Sequence, residues 1–189
     1  MTTFLIYFVL KLVLESSLSS ASTVTRFYFG WDSSYAGIYL ACLGLLMLPA
    51  NLGVAYLARQ YDDRELMVGM QIIMLVGCLV VVKYTDTYTV AQYMIGSVAI
   101  FVGTNALEGP TMSLLSKTIP KSWSQGIFNV GFLATEAGTF GRALADVLLT
   151  VFGANGLQNL LNNTFGVMTL LSFLTLVVTL HCFDSLEPY

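Results

Sequence analysis

What most constrains this chain is the recurrence of long apolar stretches. There are six, at approximately 4–23, 34–58, 66–83, 89–115, 126–152 and 164–182, joined by short polar connectors. A helix rises about 1.5 Å per residue, so about 20 apolar residues cross a hydrocarbon layer ~30 Å thick. Within that layer no water satisfies the backbone, and a helix satisfies it internally. The expected fold class is an all-α membrane protein, a six-helix transmembrane bundle occupying residues 1–189 as one unit.

Composition excludes the main alternatives. Only 10% of the residues are charged and 56% are hydrophobic, where a soluble domain carries about 25% charge. A net charge of −3 offers no basic surface for nucleic acid. The first partner implied is the lipid bilayer. The N-terminal run does not read as a signal peptide, because Lys11 and Glu15 interrupt its apolar core and no clear cleavage site follows. Cys42, Cys78 and Cys182 lie in apolar runs without metal-ligand spacing and read as small buried hydrophobes.

The connectors are TRFYFGWDSS, ARQYDDRE, KYTDTY, SKTIPKSWSQ and GANGLQNLLNN. Asp62 or Asp63 is placed to cap the third helix, with Glu65 in its favoured first turn. Tyr28, Trp31, Tyr35, Tyr84, Tyr88 and Trp123 stand near span ends, as interfacial anchors do. Arg59, Arg64, Lys117 and Lys121 follow the second and fourth spans, whereas only Arg26 and Lys83 follow the first and third. The positive-inside rule then puts the former loops and both termini in the cytosol. The triplet Asn162-Asn163-Thr164 is a glycosylation sequon in the opposite loop.

Charge inside the spans is sparse and uneven. Lys11 and Glu15 lie in the first span, Glu108 in the fourth, and Glu136, Arg142 and Asp146 in the fifth. A charge at the bilayer centre costs roughly 2.5–3.5 kcal/mol on insertion scales, so such residues face the protein interior or a water-filled cavity. The first, fourth and fifth helices are therefore expected to line something, while the charge-free third and sixth can face lipid. Lys11 with Glu15, and Arg142 with Asp146, are i,i+4 and can pair within their helices. Glu136 lies about 80–120° around the fifth helix from the second pair. Ala137, Gly141 and Ala145 form a small-residue stripe suited to close helix approach. Gly109-Pro110 directly follows Glu108, and Pro49 precedes Asn51, so bends are expected beside polar groups.

Other chemistry is absent from the sequence. There is no Gly-rich phosphate loop, no His–Cys cluster and no Ser-His-Asp set, and His181, the single histidine, ends the last span. The reading is of a protein that is not an enzyme, with no catalytic residue, cofactor or metal.

The stretches LIYFVLKLVLESSLSSASTVTRFYFGW (5–31), LGLLMLPANLGV (43–54), LEGPTMSLLSK (107–117) and LATEAGTFGRALAD (133–146) resemble the C-terminal half of the SPX-MFS family. That family comprises the vacuolar phosphate transporters of plants, with relatives in algae and protists. The loop GVAYLARQYDDREL (53–66) is similar to the signature loop of the major facilitator superfamily, without the glycine between its basic residues. The resemblance implies a twelve-helix transporter that moves inorganic phosphate into the vacuole, with a cytosolic SPX domain sensing inositol pyrophosphates. It implies that the first, second, fourth and fifth helices of each half surround the cavity. The present chain matches the last six helices. It is expected to be a fragment, the product of an incomplete gene model, or a half-transporter that dimerises, so its partner is the N-terminal half or a second copy.

On this reading Lys11 and Arg142 are the candidate contacts for phosphate or another small solute, Arg as a two-pronged donor and Lys as a point charge. Glu15, Glu108, Glu136 and Asp146 are candidates for proton coupling or ion pairing. Two alternatives stay open: a transporter or channel for another solute on the same scaffold, and a non-transporting protein whose charges specify assembly.

Overall fold

The computed structural model describes residues 2–118 and 130–184. Six helices run in order: α1 (Thr2–Phe29), α2 (Ser33–Leu57), α3 (Asp63–Val81), α4 (Val90–Thr118), α5 (Val130–Ala154) and α6 (Leu157–His181). Each is long and apolar enough to cross a bilayer. Lys121, Trp123 and the expected start of the fifth span at 126 lie outside the described residues.

The ends follow local chemistry. Asp32 caps α2, its carboxylate accepting from Tyr35 N at 2.9 Å. Asp62, not Asp63, is the cap of α3, and its own N–H donates to Glu65 at 3.2 Å. Two helices run more than a full turn past the spans expected from hydropathy. The first continues to Phe29, and α6 begins at Leu157 rather than 164. Gly156, at φ 115, makes the sharp turn that lets α6 start at once. Leu160 and Leu161 are buried and anchor that start, while Leu157, Gln158 and Asn159 stay exposed. α2 and α4 run unbroken through Pro49 and Pro110.

α1, α3, α4 and α6 make the core. Leu10, Leu12, Met67, Met74, Ile100, Leu107, Phe165 and Met168 are all essentially inaccessible. α3 and α4 approach most closely. A Cβ on Gly77 would stand 2.6 Å from Ile100 N, and one on Gly103 would stand 2.8 Å from Met74 N. Gln71 on α3 donates to Thr179 on α6 at 3.1 Å, a buried polar tie. At the end where α1 finishes, Phe29, Trp31, Tyr39, Tyr88 and Tyr93 pack ring against ring. Trp31 and Tyr88, expected as interfacial anchors, thus belong to an internal aromatic cluster, while Tyr35 and Tyr84 are exposed.

The outer faces of α3 and α6 expose Ile72, Val76, Leu79, Phe173, Leu174 and Val177, apolar surface suited to lipid. The least covered helices are α2, which buries only Ala36, Tyr39 and Leu43, and α5. Cys42 is exposed on α2, contrary to the buried role expected of it, whereas Cys78 is fully enclosed.

Candidate functional site: a charged seam between α1, α4 and α5

α5 meets α1 through small residues. Ala134, Gly138, Gly141 and Ala145 are its buried positions. A Cβ on Gly141 would come 2.7 Å from Phe8 O, and one on Gly138 would come 3.1 Å from Tyr7 Cε1. The seam therefore includes Gly138, and Ala137, expected within it, sits half-buried on its flank. Phe8 and Phe140 stack beside it at 5.8 Å. This closeness brings the charges of the two helices together.

The pairs that form are not the i,i+4 pairs expected from spacing. Lys11 Nζ donates to Glu108 Oε1 at 2.7 Å, across from α1 to α4. Tyr7 OH donates to the same oxygen at 3.1 Å, and the ammonium lies 5.3 Å from the Tyr7 ring centre. Arg142 Nε lies 4.0 Å from Glu15 Oε2, across from α5 to α1, and Ser19 Oγ donates to Glu15 Oε1 at 2.9 Å. Neither Lys11–Glu15 nor Arg142–Asp146 is an ion pair. The physical reason is packing: once α4 and α5 close on α1, a partner on the facing helix lies nearer than one a turn along the same helix.

The two cations differ in state. Lys11 is enclosed, with 8% of its side chain exposed, and its charge is taken up by Glu108. The Arg142 side chain is 56% exposed. Only its Nε approaches an acid, so the outer fork of its guanidinium engages no described residue. Thr135, Thr139, Arg142, Asp146 and Thr150 are all exposed along one stripe of α5, within about 80° of arc. The three threonines donate to carbonyls one turn back, which spares their hydroxyls an unsatisfied state. A second stripe, Glu15, Ser19, Ser22 and Arg26, runs down α1.

Of the six expected residues, the structure brings together Lys11, Glu15, Glu108 and Arg142. Asp146 lies on the exposed polar stripe of α5 without a side-chain partner among the described residues. Glu136 is exposed among Phe132, Phe140 and Val147, off that stripe and outside the cluster. Sequence reasoning missed Tyr7 and the threonine stripe. The stripe's 4-3-4-4 spacing was the available signal, whereas nothing in the sequence points from Tyr7 to Glu108. Among the described residues no group of three or more His, Cys, Asp or Glu could hold a metal.

At the opposite end of the bundle, Asn162 behaves unlike an acceptor for glycan. It lies inside α6, its carboxamide accepting from Lys83 N at 2.9 Å and donating to Lys83 O at 3.0 Å. Thr164, the third sequon residue, is wholly buried.

Six spanning helices with a polar, ion-paired seam define a multi-pass helical membrane protein. Its sequence is similar to that of membrane proteins named for an SPX domain. Two from Arabidopsis thaliana are 40% and 39% identical over 183 residues, and one from Oryza sativa subsp. japonica is 40% identical over the same length. Each alignment covers 96% of this chain and 26% of the relative. The chain thus spans about a quarter of the length of these relatives. No family model matches it. No solved structure matches it.

Proposed function

We propose that this chain is the C-terminal six-helix half of a major facilitator transporter that moves inorganic phosphate, or a similar oxyanion, by alternating access. It acts as a carrier and not as an enzyme. The observation that carries the reading is the unengaged fork of Arg142, held on a polar face of α5. Leaving the outer donors of a guanidinium without an acceptor within a span is costly, and a bidentate oxyanion is the ligand that satisfies them best. Glu15 holds the Nε side and so aims the fork. Lys11, paired with Glu108, is a second cation that an arriving anion draws on only by competing with that carboxylate. Glu108, the carboxylate that holds Lys11, is the candidate for proton coupling.

The exposed α2 and α5 support the same reading, because they offer a wall that a companion half completes. The greater length of the SPX-named relatives leaves ample chain to supply that half. In this reading the host membrane is vacuolar or another endomembrane, with both termini cytosolic. The tight, enclosed Lys11–Glu108 bond also favours a second reading for that one pair, a structural tie between α1 and α4. Radiolabelled phosphate uptake into vesicles tests the proposal, with this chain expressed alone or together with the remaining part of an SPX-named relative. Uptake only in the second case is expected. Equal background in both would contradict a transport role.

A further inference from the structure

Beyond the seam, the end of α1 and the start of α2 enclose a cleft of ≈ 560 Å³, reached also by Leu157 of α6. Its polar wall is Ser22, Thr23, Arg26 and Asp32, with Trp31 as its aromatic side. Arg26 is exposed, and its guanidinium has no hydrogen bond or ion pair with another described residue. The Ser22 hydroxyl is likewise unengaged. Asp32 lines the same cleft and is not salt-bridged to Arg26. One of its carboxylate oxygens caps α2 through Tyr35 N, which leaves the other as an acceptor. Ser22 and Arg26 continue the α1 stripe that begins at Glu15, so the cleft and the seam share one polar face of that helix.

We infer that this cleft is a second oxyanion site, at the mouth of the path, selective for a protonated oxyanion such as inorganic phosphate. The inference rests on the transport reading for its purpose but not for its chemistry. Arg26 and the two hydroxyls donate to anionic oxygens. Asp32 can only accept. Against a fully deprotonated anion such as sulfate, its carboxylate is a repulsive neighbour with nothing to receive. Phosphate at neutral pH keeps at least one O–H, which it donates to that carboxylate. A lipid phosphodiester offers the same anionic oxygens without that O–H, so Asp32 separates free phosphate from a headgroup as well. This is discrimination by an acceptor-only carboxylate in the cleft rather than by size.

Trp31 makes the site readable. With Trp123, the other tryptophan of the sequence, replaced by Phe, the fluorescence of the detergent-solubilised chain reports the cleft alone. Titration with inorganic phosphate, sulfate and phosphatidylmethanol, an anionic phosphodiester lipid with no headgroup O–H, is expected to give a saturable change with phosphate only. Arg26→Gln should weaken the phosphate response about tenfold or more, the loss of a charged donor. Asp32→Asn keeps a capping side chain for α2 and supplies a donor, so it should admit sulfate. Arg142→Lys should leave the response unchanged, which separates this site from the seam: loss of transport with an intact Trp31 signal affects only the seam. Equal responses to phosphate and sulfate, a response to phosphatidylmethanol alone, no response to any probe, or an Asp32→Asn chain that still rejects sulfate would each overturn the inference.

Discussion

At the scale of single residues, Lys11 and Arg142 show how the same charge takes two roles. Lys11 is enclosed and bonded to Glu108 at 2.7 Å, with Tyr7 on the same oxygen. Removing one partner of such a pair strands the other. Lys11→Met should therefore destabilise the detergent-solubilised protein by about 3 kcal/mol, the low end of the range for buried pairs because Glu108 remains partly exposed. Lys11→Met with Glu108→Leu should recover most of that loss, as thermal unfolding would register. No recovery would mean that the pair does more than tie α1 to α4. The presence and depth of these charges were legible in the sequence. Their partners were not, because the i,i+4 rule describes an isolated helix, and here the facing helix supplied the nearer acid both times.

At the scale of elements, close approach decides which faces meet. Gly141 admits α1 so closely that an added Cβ would strike Phe8 O at 2.7 Å, a backbone atom that no rotamer change moves aside. Gly141→Val should push α5 from α1, cost about 1–3 kcal/mol as overpacking does, and pull Arg142 away from Glu15. In that variant, cross-linking between cysteines placed at Phe8 and Phe140 should fall below the level of the parent; unchanged cross-linking would mean that Gly141 does not set the approach of α5 to α1. The small-residue stripe was readable as a seam: Gly141 and Ala145 lie in it, and only at one end does Gly138 take the place expected of Ala137. The 3.6 period allows neighbouring stripes, and the neighbour's shape selects among them. Asn162 teaches a similar lesson. As a sequon it allowed a glycan, yet its side chain closes both backbone groups of Lys83. Expression in a glycosylating membrane should give no endoglycosidase-sensitive mass shift. A shifted band lost on Asn162→Gln would show that the α3–α4 turn opens in the membrane.

At the scale of the whole molecule, six helices and their apolar outer faces followed from hydropathy alone, since bilayer thickness fixes span length. What remained hidden was coverage. Hydropathy could not say that α2 and α5 would be left nearly bare, because lipid and a companion half are both apolar. With the native cysteines replaced, Gln60→Cys should react with impermeant reagent from the cytosolic side and Asn155→Cys from the other. Labelling of both from one side would undo the even-span topology.

On the proposed function, the open fork of Arg142 binds the transported oxyanion. That binding is tested most directly by phosphate uptake through the reassembled, full-length protein, normalised to the amount in the membrane. Arg142→Lys keeps the charge and loses the fork, whereas Arg142→Ala with Glu15→Ala removes the guanidinium and the acid it would otherwise strand. Both proteins should insert at normal levels. The double variant should lose about tenfold or more in phosphate kcat/KM, the equivalent of the ~1.5–3 kcal/mol of a charged hydrogen bond, with Arg142→Lys falling between it and the parent. Near-normal uptake by the double variant would make the pair purely structural and take Arg142 out of the path.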